Sequence, residues 1–249
     1  TPAQAYQMGL HAIRRGVGSD KFILGTGAPI GSSIGFVDGM RIGTDLKAGW
    51  EGVTPGVNAA ASRGFYHRAV WFNDPACLAI ADSLTLDQAR VWASVTALSG
   101  QMTFLGDKLP SLPEERLSLL KMTLPVYGQA ATPVDLFTEP TEEGRTSPPS
   151  IWNLPVSKEF AKWNVVGVFN WSNNESDVTL QSAQLGLSAG KTYLAYERWS
   201  DKYLGEFRGS ISLKLKPTSS QVVSIHEKAD HPFVLSTSRH ITQGAVDLT

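Results

Sequence analysis

The sequence contains one cysteine, Cys77, among 249 residues, so no disulfide can close within the chain. A reducing compartment fits that count, but so does a secreted protein without disulfides; cytoplasm, periplasm and exterior all stay open. Long hydrophobic runs are also missing. The longest, FILG and NVVGVFNW, fall far short of the roughly 20 apolar residues that span a bilayer. Charge of one sign is not in excess: 22 basic against 23 acidic residues leave a formal net charge of −1. Nothing in that balance draws the chain to nucleic acid or to an anionic membrane. The five histidines are scattered. His67, His226, His231 and His240 lack ligand spacing and His11 lies in a helical pattern, which argues against a metal site. The glycine-rich run GTGAPIG lacks the Gly-Lys-Ser/Thr ending and the Rossmann spacing, so no cofactor is expected. No signal peptide opens the sequence. It begins inside a helical pattern, at TPAQAYQMGL, and ends at HITQGAVDLT, so a piece of a longer protein is expected.

What is present is enough apolar residue for a sizeable core, 42% of the chain against 18% charged. The length suits one large domain or two smaller ones. Residues 2–16 read as a helix capped by Thr1, with Tyr6, Leu10 and Ile13 on one face. KFILGTG, GMRIG, AVWFN and MTFLG read as short buried strands. Between them come a short helix or turn near residues 34–39, a helix over 55–67, a helix in TLDQARVWASVTALSG with a Thr cap and a Gly stop, and a helix in LPEERLSLLKMTLP. The strands are continuous apolar runs, the pattern of parallel strands covered on both faces. Residues 1–125 are therefore expected to form about half of an eight-unit (β/α)₈ TIM barrel, with a small doubly wound sheet as the other architecture. Residues 126–150, rich in Pro, Thr, Glu and Ser, read as a linker. From 151 to 249 the periodicity becomes strand-like, in KTYLAYERW, SISLKLK and QVVSIHE among others. An antiparallel β-sandwich with a tail is expected, FVLS being one further candidate strand.

Active sites of such barrels lie at the C-terminal ends of the strands. The residues placed there are Thr26 and Gly27, Arg41 and Asp45, Asn73 and Asp74, and Gly106 and Asp107. The set is rich in aspartate, holds one arginine and no histidine, and suits sugar chemistry. There two carboxyl groups flank a glycosidic bond, one protonated to release the leaving oxygen, the other attacking or activating water. Arg41 can orient a carboxylate or meet a substrate hydroxyl. Trp50, just beyond Asp45, is a candidate platform for the C–H face of a pyranose. Taken singly, each aspartate has a plainer reading as a cap or turn residue, and Cys77 reads as buried and inert.

The stretches FILGTGAPIG, DGMRIGTDLKAGW, WFNDPACLAIAD and ALSGQMTFLGDKLPSLPEERLSLL resemble, in that order, strands 5 to 8 of the α-galactosidases (melibiases) of glycoside hydrolase clan D. The resemblance is closer to family 36 than to family 27. PSIWNLPVSKEFAKWNVVGVFNWS and YLAYERWSDKYLGEF resemble the β-sandwich that follows the barrel in those enzymes. The resemblance implies a retaining glycoside hydrolase acting on terminal α-galactosyl groups of an oligosaccharide or glycoconjugate. Asp45 would be the general acid/base, four residues after Arg41, with Asn73, Asp74 and Pro75 as a supporting part of the pocket. The loop from Gly25 to Ile30, which includes Thr26 and Gly27, would surround the sugar's C2 side. It lacks the glutamate of typical family 27 enzymes, which leaves room for a 2-acetamido sugar. An α-N-acetylgalactosaminidase or another α-glycosidase of the clan, and a non-catalytic carbohydrate-binding protein, are the alternatives. No residue matches the family's nucleophile, an aspartate at the end of strand 4. It is expected on a missing preceding segment or a second chain, together with the N-terminal half of the barrel. Asp45 would need burial or a neighbouring carboxylate to stay protonated.

Overall fold

Thr1 accepts from the Gln4 N–H while Gln4 reaches back, a capping box that starts helix α1 (Pro2–Val17). In this computed structural model, which describes residues 1–45, 47, 49–81, 83–137 and 147–249, the N-terminal half alternates strand and helix as its sequence pattern predicts. After α1 come β1 (Leu24–Gly25), α2 (Ile30–Ser33), β2 (Gly39–Arg41), α3 (Trp50–Ser62), β3 (Phe72–Asp74), β4 (Cys77–Leu78), α4 (Leu86–Ser99), β5 (Phe104–Leu105) and α5 (Glu114–Thr123). Strands β1, β2 and β3 are neighbours in one parallel sheet, and β4 pairs parallel with β5. The Met102 N–H donates to the Asn73 carbonyl, which continues the sheet from β3 towards β5. This is an arc of a barrel. Among the described residues, β1 and β5 each pair on one side only, and Phe22, Phe72, Phe104 and Leu105 are left exposed. Ile13, on the apolar stripe of α1, is exposed as well, while Leu10 is buried.

Two local expectations change, and one strand is added that the sequence pattern does not show. The third helix runs from Trp50 to Ser62 rather than over 55–67, with Pro55 inside it. A proline forfeits one helical hydrogen bond and so looks like a boundary, but packing overrides it. A Cβ at Gly56 would lie 2.9 Å from the Trp92 ring, so this helix is pressed against α4. The short helix lies over Ile30–Ser33, directly after Pro29, instead of near 34–39. Strand β4 is two residues long, too short to show a period.

The C-terminal half is a β-sandwich. One sheet has the order β11-β10-β13-β8-β7-β6 and the other pairs β12 with β9. The strands are β6 (Thr132–Pro133), β7 (Ile151–Ser157), β8 (Lys162–Asn170), β9 (Ser176–Gln181), β10 (Tyr193–Glu197), β11 (Lys202–Phe207), β12 (Ser210–Leu215) and β13 (Ser219–Glu227). In β12 exposed and covered positions alternate, as SISLKLK predicts for a sheet with one wet face. The expected linker donates β6 as an edge strand; its centre, 138–146, lies outside the described residues. FVLS forms no strand. Its Leu235 carbonyl instead accepts from Ser224 Oγ, which holds that segment to β13.

Helix α4 joins the halves. Nearly every residue from Ala89 to Ser99 is buried. A helix apolar all round belongs inside a protein, and the hydroxyls of Ser94, Thr96 and Ser99 are satisfied by carbonyls one turn back. It shares one core cluster with Trp152, Leu154, Trp163, Val165, Phe169 and Val222 of the sandwich and with Ile241 and Ala245 of the tail. A Cβ at Gly167 of β8 would lie 2.4 Å from Leu98 Cδ1, so glycine there lets the helix lie flat on the sheet.

Two consequences can be measured. A Cβ at Gly43, where the chain leaves β2, would sit 2.7 Å from the Pro75 carbonyl oxygen. Gly43→Ala is expected to lower stability by about 1–3 kcal/mol, as overpacking against rigid backbone does, in a urea unfolding curve. His226 is buried between Trp163 and Phe233, with ring centroids 5.4 Å away on each side. Burial lowers its pKa to about 4, against a weaker opposing effect of the Leu235 backbone. A depressed folded-state value means that this neutral histidine contributes fully above pH ~6.5. The contribution falls away between there and pH ~4, as the unfolded chain alone takes up the proton. From the shift to about 4, the loss at acid pH is of order 3 kcal/mol. His226→Asn is expected to flatten that part of the stability–pH curve.

Candidate active site

The parallel order β1-β2-β3 brings three strand ends to one edge of the sheet. Thr26 and Gly27 follow β1 and are exposed, Gly27 with a left-handed φ of 64° that glycine adopts without strain. Arg41 ends β2, and its register partner is Asp74, the last residue of β3. Gly43 allows the chain beyond β2 to run against Pro75, and the Ile42 N–H donates to the Asp74 carbonyl at 2.9 Å. Asp45 is thereby returned over the strand ends.

The Arg41 guanidinium bridges both aspartates. Its Nε–H donates to Asp74 Oδ2 at 2.6 Å and its Nη1–H to Asp45 Oδ1 at 2.7 Å. The surroundings of the two carboxylates differ sharply: the side-chain exposure is 0% for Asp74, 11% for Arg41 and 89% for Asp45. Burial pushes Asp74 above the ordinary carboxylate range, and the Arg41 hydrogen bond and charge only partly offset it. Burial also disfavours the Arg41 cation, but the Asp74 hydrogen bond and charge outweigh it, and the guanidinium is held above its usual value. The pair shifts the two partners by different balances because Asp74 is fully enclosed while Arg41 keeps an edge on solvent. Asp74 Oδ1 is buried and has no hydrogen-bond partner among the described residues.

Below this trio lies a polar network. The Asn73 N–H donates to His67 Nδ1 at 3.1 Å, its Nδ2 donates to the Arg63 carbonyl, and its Oδ1 accepts from Trp71 Nε1. His67 is lowered, first by burial and then by nearby Arg68, so its neutral ring serves as the acceptor. The sequence signalled Asn73 but not His67, whose only mark was a position six residues earlier. Arg63, which donates to the Ile42 carbonyl, carried no signal at all.

The other strand-end candidates have different placements. The Asp107 carboxylate accepts from the Ile80 and Ala81 N–H groups at 2.7 and 3.2 Å, which makes it a loop anchor. Trp50 opens α3 and stacks on Trp171 of the sandwich, with centroids 5.9 Å apart and planes at 23°. That contact gives Trp50 a packing role between the halves. Cys77 is half-buried rather than buried, and its carbonyl accepts from Trp92 Nε1. Among the described residues no group of three or more His, Cys, Asp or Glu is placed to hold a metal ion, and no helix is long and apolar enough to cross a membrane. The burial expected to keep Asp45 protonated is not provided by the described residues. What the arrangement offers is one accessible carboxyl, held by a guanidinium that is itself fixed from below.

Residues 146–225 match the family model of the alpha galactosidase C-terminal beta sandwich domain. Among solved structures, the chain is similar to α-galactosidase I from Mortierella vinacea, with a TM-score of 0.67 at 12% identity, over 90% of this chain and 62% of that one. A GH27 β-L-arabinopyranosidase from Geobacillus stearothermophilus in complex with arabinose matches with a TM-score of 0.69 at 15% identity, over 90% of this chain and 55% of that one. An α-galactosidase from Saccharomyces cerevisiae with raffinose matches with a TM-score of 0.60 at 12% identity, over 78% and 60%. The chain thus spans between 55% and 62% of the length of these three structures. Their likeness fixes the fold as the second half of a TIM barrel followed by a β-sandwich. Residues 146–225 are thus similar to the alpha galactosidase C-terminal β-sandwich domain, set here behind that half-barrel.

Proposed function

We propose that this chain carries the acid/base half of a retaining α-galactosidase site, with Asp45 as the proton donor. The observation that carries the reading is the bridge from Arg41 to Asp45 and Asp74 at the C-terminal ends of parallel strands, where barrel enzymes hold their chemistry. In the first step a carboxylate from outside these residues attacks C1 of an α-galactosyl group, the C1–O bond breaks, and Asp45 gives its proton to the departing oxygen. In the second step Asp45 takes a proton from water, which attacks C1 and releases the nucleophile. Retention needs the two carboxyl groups about 5–5.5 Å apart. The nucleophile therefore belongs on a strand adjoining the open side of the arc. The unpaired side of β1 and the exposed Phe22 and Phe72 mark where the other half of the barrel would close.

The similar structures, an α-galactosidase with raffinose among them, support an α-galactoside as substrate. A 2-acetamido sugar is the second reading. It is favoured by the loop after β1, where the small exposed residues Thr26 and Gly27 stand in place of a bulkier hydroxyl-binding side chain.

Asp45→Asn in the complete protein tests this. It keeps the shape and removes the transferable proton. Turnover of raffinose-like α-galactosides is expected to fall by roughly 10²–10⁴-fold. Nitrophenyl α-galactoside, whose leaving group needs little protonation, should suffer less in the first step, and azide should restore turnover with an α-configured galactosyl azide as product. Parent-like rates in the variant would remove Asp45 from the mechanism. Failure of the parent protein to turn over nitrophenyl α-galactoside, its 2-acetamido analogue or other α-glycosides, while still binding the sugar, would make this a carbohydrate-binding protein.

A further inference from the structure

We infer that Asp74 is a positioning residue that acts on Asp45 through Arg41, fixing the guanidinium in place and neutralising its charge so that Asp45 can retain a proton. This rests on the acid/base reading of Asp45 given above. Asp74 itself is wholly buried, so it meets neither substrate nor solvent. Its reach is the 2.6 Å contact to Arg41 Nε, and Arg41 in turn reaches Asp45 at 2.7 Å.

The electrostatic part follows from counting charges. One cation lies between two carboxylates. A guanidinium beside Asp45 with no other partner would favour the ionised carboxylate strongly, because an opposite charge at hydrogen-bond distance does so. A general acid in that state has no proton to give. With Asp74 ionised, the Arg41–Asp74 pair is neutral overall, and the pull on Asp45 is weakened. The titratable groups around this pair are Asp45 near Asp74, and Asp45 and Cys77 near Arg41. Among the described residues, no carboxylate other than Asp45 itself faces Arg41, so none takes over the neutralisation when Asp74 is lost. The geometric part follows from the fork of the guanidinium: with Nε pinned from below, Nη1 is aimed at the loop that carries Asp45, and the flexible head of the side chain is no longer free to turn away.

Asp74→Asn in the complete protein separates this role from a merely structural one. The alkaline limb of the kcat/KM profile is expected to move to lower pH by about one unit, with kcat down about tenfold at the parent's optimum and KM little changed. Because removing one member of a buried pair can unfold a protein, Arg41→Gln/Asp74→Asn is the second variant. Both charges leave together, so the alkaline limb should return close to the parent's position while kcat stays low, since nothing then holds Asp45. A limb unmoved in the single variant, or displaced in the double variant, would overturn the inference, as would a loss confined to KM. Asp45→Asn measured alongside keeps the two ideas apart. If it leaves turnover intact, the acid/base reading fails. If it abolishes turnover while Asp74→Asn leaves the pH profile in place, only the positioning role fails.

Discussion

A guanidinium set between a buried and an exposed carboxylate is the constraint on which the strand ends depend. Arg41 and Asp74 are register partners at the last positions of β2 and β3. A slip of one residue would turn either side chain to the opposite face of the sheet and leave an unpaired ion in the interior. The pair adds little net stability, since burying two charges costs about as much as their attraction returns. Its effect is instead to exclude other registers, and the excluded registers are those that would move Asp45. Gly43 serves the same end by a different route, because the close approach of its backbone to Pro75 leaves no space for a side chain.

The sandwich supports this edge from behind. Helix α4 leads to β5 and is also buried against β8 and β13, so barrel and sandwich share one apolar cluster rather than meeting at a polar seam. Gly167 permits the close contact, and the Trp50–Trp171 stack extends it to the start of α3, the helix that follows the Asp45 loop. Arg90 and Arg198 lie over the Trp199 ring at 5.5 and 5.6 Å, adding cation–π contacts at the same boundary. A domain interface of this kind, apolar and continuous with both cores, does not behave as a hinge. The loop that carries Asp45 therefore rests on a rigid base.

The sequence was most readable where a local rule and the tertiary structure agree. Thr1 and Thr85 cap their helices, Gly100 ends α4 in a left-handed conformation, and both halves of the fold follow from the change of period near residue 150. Arg41 and Asp45 were legible as strand-end residues because a short apolar run preceded them. Pro55 misled because its local cost is real, though small beside the packing of α3 on Trp92. Strands β4 and β6, at two residues each, are defined by their neighbours and leave no pattern of their own. Trp50 shows the same limit: proximity to Asp45 in sequence could not reveal that Trp171, more than a hundred residues later, stacks on its ring. The burial of Asp74 was hidden too, since NDP is an ordinary turn signal and only the sheet shows that it ends β3 with its side chain enclosed against Arg41.

Two unusual exposures on the barrel half have one geometric explanation. Aromatic side chains that a closed barrel would enclose, Phe22 and Phe72, stand open; Asp45, the proposed proton donor, stands open as well. An arc of four strand–helix units offers both to the space that the remaining units of a barrel would fill. In that space the apolar rings would gain burial. The carboxyl would exchange water for a medium that disfavours its ionised form, as a general acid near neutral pH requires. The same strands would bring the second carboxyl. Closure of the barrel would thus supply the core, the environment of the acid and the nucleophile in a single step, while Arg41, already fixed by Asp74, needs no rearrangement to receive them.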